Sequence, residues 1–162
     1  MNNQSIKLET MTIASAGKLI QDQKISIEHL TQATLEQVHV TEPKINAFIT
    51  VLANEAMQNA QMLDKEIAEG KYRGLLHGIP IGLKDIIDMK GVLTSNGSQF
   101  SHNTLAEKDA TVTSKLTENG AIIVGKLNLH EFAFGTSSVN PHYGPVKNPW
   151  NYDCVPGGSS GG

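Results

Sequence analysis

The residues best suited to chemistry are one lysine and a pair of serines. Lys84 closes the apolar run Ile79, Ile81 and Leu83, and Ser159 and Ser160 sit inside Pro156-Gly157-Gly158-Ser159-Ser160-Gly161-Gly162. Alternating apolar residues between turn glycines read as a buried strand. A lysine at the carboxyl end of such a strand stands where open α/β sheets gather ligands. Partly withdrawn from water, its amine can serve as a base; the plainer alternative is a solvated lysine paired with Asp85. Glycines around the serines let the backbone enter positive φ and leave amides and hydroxyls open to a small polar ligand. Read alone, that stretch could equally be a flexible linker. Asn148-Pro149-Trp150, Asp153 and Val155-Pro156 lead into it with two prolines and a large aromatic, which a linker does not need. A lysine that accepts a proton from a serine hydroxyl is a recognised variant of triad catalysis.

Other chemistries are poorly supported. His29, His39, His77, His102, His130 and His142 lack the close paired spacings of zinc sites, and Cys154 is the only cysteine. We therefore expect no metal and no cofactor. No G-x-S-x-G elbow occurs, and the glycine-rich end lacks a Walker lysine. His130-Glu131 reads as a structural pair. Thr136, Ser137 and Ser138 open a hydroxyl-rich loop running to Pro145, and loops on a rigid sheet are where binding groups are placed.

The elements that would position these residues follow from periodicity. Ile13 to Gln21 is a short helix. Ser26 caps a second, with Ile27, Leu30, Thr34 and Val38 on one face and Glu42-Pro43 as its stop. Ile45 to Val51 is open between strand and buried turn. Ala53, Ala56, Ala60, Leu63 and Ile67 mark the firmest helix, ended by Gly70, with Met57 and Met62 packed beside the stripe. Asp88 to Phe100 is a loop. Asp109 caps a helix with Val112 and Leu116 on its apolar face and Gly120 at its end, and Ala121 to Gly125 is a buried strand. Strand, helix, strand of this length implies a right-handed βαβ unit and parallel pairing. Asn128 to Gly135 is a further short helix. The expected fold class is α/β: N-terminal helices over residues 1–71, then part of a mixed or parallel sheet covered by helices over 72–162.

Composition narrows the partners. The chain has 162 residues, 39% of them hydrophobic, enough for one ordinary core, and a net charge of -3 with no basic run. Neither nucleic acid nor an anionic membrane is an expected direct partner. A lone cysteine and the lack of a long apolar stretch or signal core place the chain in the cytoplasm.

With these residues in view, the chain resembles the amidase signature enzymes. The resemblance rests on Gly78-Ile79-Pro80 through Lys84-Asp85, Asp109-Ala110-Thr111, Gly120-Ala121, Val124-Gly125-Lys126, Glu131-Phe132-Ala133, Asn148-Pro149-Trp150 and Pro156 to Gly162, in that order. It implies hydrolysis of a carboxamide to carboxylate and ammonia through a Ser–cis-Ser–Lys triad. Lys84 would be the base and Ser159, after a cis peptide, the bridging serine. Ser160 would be a neighbouring hydrogen-bonding group, and Thr136, Ser137 and Ser138 would border the pocket of a small-molecule amide. The nucleophilic serine and the oxyanion amides belong to the signature's continuation past Gly162, so the chain is expected to be a truncated amidase that does not hydrolyse amides by itself. A rival within the same resemblance is the A-type component of a glutamyl-tRNA(Gln) amidotransferase, which works with partner subunits; His130-Glu131-Phe132-Ala133-Phe134 and Asn140 to Gly144 read closer to stand-alone enzymes. A non-catalytic binding module is the third alternative.

Overall fold

The computed structural model describes residues 6–101 and 105–162. The chain divides into two compact units interleaved in sequence. One holds the chain up to Val38, Leu52–Ile81 and Lys115–Val124; the other holds His39–Val51, Gly82–Ser114 and Gly125–Gly162.

Helix α1 (Ile13–Gln21) begins at a reciprocal cap: Ser15 N donates to Thr12 Oγ1 at 3.1 Å, and Thr12 N donates to Ser15 Oγ at 2.9 Å. Ser26 Oγ accepts from His29 N at 3.0 Å and opens α2 (Ile27–Ile45). Asp64, on α3 (Ala53–Ala68), accepts the amides of Ile27 and Glu28 at 2.8 and 2.9 Å, so one helix caps the start of the other. Ala56, Ala60 and Leu63 are the buried stripe of α3, and they share the core of the first unit with Ala16, Ile20, Ile27 and Leu30. Met57 is half-buried beside that stripe, but Met62 is exposed.

Pro43 does not stop α2, as its position suggested. The helix continues to Ile45 because Asn46 N still reaches Glu42 O at 2.9 Å, while the Glu42 carboxylate takes the Ala47 and Phe48 amides at 3.0 and 2.9 Å. The turn loses one backbone donor to proline and gains two side-chain bonds beyond it.

Strands β1 (Phe48–Val51), β2 (Pro80–Lys84) and β3 (Ile122–Leu127) form a sheet in the order β1-β3-β2. The open stretch before α3 is thus a strand, antiparallel to β3, with an irregular register between Phe48 and Thr50. β2 and β3 run parallel: Ile122 N donates to Ile79 O and Asp85 N to Leu127 O, both partners advancing together. Helix α4 (Thr111–Glu118) is the crossover between them. Asp109 stands two residues before the first helical position and is engaged elsewhere, its carboxylate accepting from Lys90 N at 2.6 Å. Val112 is exposed; the fully buried residue of the helix is Thr113, whose hydroxyl donates to Asp88 O at 2.7 Å. A small antiparallel hairpin, β4 (Val139–Asn140) and β5 (Gly144–Pro145), lies within the hydroxyl-rich loop. No described helix is long and apolar enough to cross a membrane.

Candidate active site

Lys84 is the last residue of β2, and Asp85 is the first residue of the turn that follows it. The two do not pair. Lys84 is half-buried and its Nζ donates to Ser159 Oγ at 2.6 Å, a contact between residues far apart in sequence. The Gly158–Ser159 peptide is cis.

Ser159 is held by the residues that follow β3. His130 N donates to Ser159 O at 2.9 Å, Leu129 bridges Ser160, and Asn128 O accepts from Gly161 N and Gly162 N at 3.1 Å each. Asn128 is itself buried and tied by Nδ2 to Asn46 O and Gly144 O at 3.1 and 3.3 Å. The glycine-rich segment therefore pairs, for a few residues, with the chain that continues past the end of β3.

Asn128 to Gly135 is not the short helix that its sequence suggested. Only Glu131–Ala133 makes a 3-10 turn, and Phe132 and Ala133 both have positive φ. The reason is tertiary: Phe132 N donates to Asn96 O at 2.8 Å while His130 N goes to Ser159, so the amides that a helix would use are already engaged. Nor do His130 and Glu131 pair. The His130 ring packs over Gly135 with Nδ1 3.4 Å from Ser137 Oγ, whereas Glu131 meets His142 Nε2 at 2.8 Å. A hydrogen bond from Ser98, and then one from His142, hold the Glu131 carboxyl below its ordinary range.

The four pocket candidates fall in different surroundings. Thr136 and Ser160 are exposed and Ser137 is half-buried. Ser138 is wholly buried at positive φ, and its hydroxyl donates to Gly157 O at 2.5 Å, with Ser159 O at 3.4 Å. Asn140, also buried, donates to Gly97 O and Leu129 O at 2.8 Å each and accepts from His142 N and Tyr143 N.

Behind Lys84 lies a group that reading by sequence alone passes over. Lys126 and Asp85 are 0% and 1% exposed, with Nζ 2.9 Å from Oδ1 in an ionic contact that is not aligned as a hydrogen bond. Lys126 also donates to Leu93 O at 3.1 Å and Thr94 Oγ1 at 3.0 Å. Asp85 Oδ2 accepts from Ser95 N at 2.9 Å and from the Ser95 hydroxyl. The signal is present in the sequence: a lysine directly after an apolar strand run that continues through it must find an anion. Thr94 and Asn96 also line a cavity of about 510 Å³ with Ile86, Asp88 and Lys108, which neither Lys84 nor Ser159 borders. No group of three or more His, Cys, Asp or Glu poised for a metal occurs among the described residues.

Residues 29–162 match the family model Amidase. The A component of the glutamyl-tRNA(Gln) amidotransferase of Dehalococcoides mccartyi (strain CBDB1) is 45% identical over 155 residues, 96% of this chain and 32% of that protein. A chain of a vestigial protein complex that bears on the origins of an s-triazine catabolic enzyme superimposes with a TM-score of 0.90 at 32% identity, covering 93% of this chain and 33% of that one. The native peptide amidase of Stenotrophomonas maltophilia gives 0.87 at 31% identity, covering 93% and 32%. The chain thus spans about a third of the length of the proteins it matches.

Proposed function

The chain belongs to the amidase family, and from that premise we propose that it carries the proton-relay half of a catalytic site that cleaves carboxamide C–N bonds. The observation that carries this reading is the 2.6 Å contact between Lys84 Nζ and Ser159 Oγ. With the amine in its neutral form, Nζ accepts the Ser159 hydroxyl proton while Ser159 Oγ takes the proton of a nucleophilic hydroxyl. That oxygen adds to the amide carbon, the C–N bond breaks, and the proton returns along the same path to the departing nitrogen. Water then cleaves the acyl ester by the same relay in a second step, giving the carboxylate. The attacking hydroxyl and the oxyanion amides are proposed to come from the stretch that follows Gly162 in the longer relatives, so the 162 residues alone should release no ammonia. Thr136, Ser137 and Ser160 are the proposed contacts for a small amide substrate, and the cytoplasm is the proposed location.

The test is ammonia release from a panel of carboxamides by the full product of the reading frame that encodes this chain. Lys84→Ala and Ser159→Ala should each slow turnover by about 10²- to 10⁴-fold, the usual worth of a positioned acid–base group. Activity retained in Lys84→Ala would remove the relay from the mechanism.

A second reading is favoured by a specific observation: curated relatives at 41% to 45% identity are A components of glutamyl-tRNA(Gln) amidotransferases. In that case the same relay would release ammonia from glutamine, and partner subunits would be required. Glutamine turnover that appears only when the partner subunits are added supports this reading, and turnover of simple amides by the isolated product supports the first.

A further inference from the structure

Ser138 is a buried hydroxyl that the relay does not use. Its side chain is fully enclosed, its backbone is held at a φ of 55°, and its hydroxyl proton is directed at Gly157 O, 2.5 Å away, with Ser159 O at 3.4 Å. These two carbonyls bracket Gly158, so one hydroxyl faces both ends of the turn that presents Ser159. The backbone around Ser138 closes on the same turn. A Cβ on Gly158 would stand 2.8 Å from Ser138 N and 2.9 Å from Ser137 N, and one on Gly161 would stand 2.7 Å from Ser138 Cβ. The loop that carries Ser138 thus packs directly on the segment from Gly157 to Gly161, and its hydroxyl reaches Gly157 O, which the bonds from Asn128 and His130 do not.

A hydroxyl so placed cannot also serve an incoming amide, because its one proton is committed and its oxygen is out of solvent. We propose that Ser138 is a positioning residue: its buried hydroxyl holds the Gly157–Ser159 turn so that Ser159 Oγ stays within hydrogen-bonding reach of Lys84 Nζ. The proposal rests on the Lys84–Ser159 reading above. A short proton relay is sensitive to placement, and a displacement of about 1 Å at a reacting group costs up to about 10²-fold in rate. Ser138 acts through Ser159 and touches no reacting atom itself.

Two variants separate this role from a merely structural one. Ser138→Ala removes the donor and keeps the strained backbone; Ser138→Gly removes the donor and relieves the positive φ. In the full product of the reading frame, both should lower kcat by about 10- to 100-fold, with KM changed by less than about twofold, since substrate contacts stay in place. Ser138→Gly should unfold at a temperature equal to or above that of Ser138→Ala and yet be no faster. A crystal structure of Ser138→Ala should find the Lys84–Ser159 contact lengthened beyond hydrogen-bonding distance. Wild-type kcat in Ser138→Gly, or a deficit that vanishes when rates are normalised to folded protein, would overturn the proposal. If Lys84→Ala keeps its activity, the relay itself has failed; if Lys84→Ala is inactive while both Ser138 variants turn over normally, the relay stands and only the role of Ser138 is lost.

Discussion

Replacing Lys126 with methionine should be among the most damaging single changes in the second unit, and the reason is electrostatic rather than steric. Methionine fills much of the space of the lysine stem, so packing changes little. What it removes is the cation facing Asp85, a carboxylate only 1% exposed, together with the donors to Leu93 O and Thr94 Oγ1. Asp85 keeps the two Ser95 donors on Oδ2 but has nothing opposite Oδ1. Breaking a buried pair in this way costs about 3–5 kcal/mol, a large share of the roughly 5–15 kcal/mol that holds a domain together.

The second arm of the experiment is Asp85→Asn. Alone it strands the Lys126 ammonium, which retains two neutral acceptors, and it should cost about 3 kcal/mol. Combined with Lys126→Met, no buried charge is left, and asparagine oxygen can still accept from Ser95 N. The double variant should lie only about 1–3 kcal/mol below the wild type, the cost of leaving Leu93 O and Thr94 Oγ1 without the Lys126 donor, so the two changes are strongly non-additive. Urea unfolding at constant slope measures each midpoint, with the singles followed at reduced temperature to keep them folded. Additive losses, within about 0.5 kcal/mol, would show that the two charges do not sense each other and would refute the argument.

Three further outcomes follow from local geometry. Gly158→Ala places a Cβ 2.8 to 2.9 Å from backbone atoms of Thr136 to Ser138, atoms that cannot swing aside, so the Ser159 turn must move; turnover should fall at least about tenfold, and an unchanged kcat would contradict the contact. Glu66 lies below its ordinary value of 4.5 because the Arg73 guanidinium is hydrogen-bonded to it. A depressed folded value means that the pair's stabilisation is present above about pH 4.5 and is lost as pH falls through the lower folded value, so the urea midpoints of wild type and Arg73→Gln should differ at pH 7 and draw together as the pH is lowered below 4.5. Glu131→Ala should leave the fold intact while removing the carboxylate that meets His142 Nε2 at 2.8 Å; His142 ring chemical shifts identical in both proteins at one fixed pH would argue against the pair.

Sequence signals are legible where the partners of a residue are local. Ser26 and Gly70 mark helix ends by rules that reach three or four residues, and the helix stripe of Ala56, Ala60 and Leu63 requires only the period 3.6. Where the sequence misleads, one cause recurs. Pro43 is outweighed by Glu42 side-chain bonds to the next strand, Asp109 is taken by Lys90, and a helix at Asn128 to Gly135 is undone by amides pledged to Asn96 and Ser159. In each case a polar group finds a partner that sequence distance hides. Ending the third strand at Gly125, where its apolar run stops, conceals Lys126 as a buried charge; the strand in fact runs on to Leu127.

The same point explains why Lys84 is available at all. In sequence its nearest anion is the adjacent Asp85, and a lysine beside an aspartate invites the reading of a solvated pair. Tertiary partners separate the two at the point where β2 ends and the turn begins. Asp85 is engaged by Lys126, and the loop from Leu93 to Asn96 closes over both, Asn96 N donating to Asp85 O at 3.0 Å. Lys84 is left to the Ser159 hydroxyl, which it meets at 2.6 Å. One lysine neutralises the carboxylate so that the other need not, and that division of labour between Lys126 and Lys84 is what turns an ordinary charged dipeptide at a strand end into a lysine facing a serine.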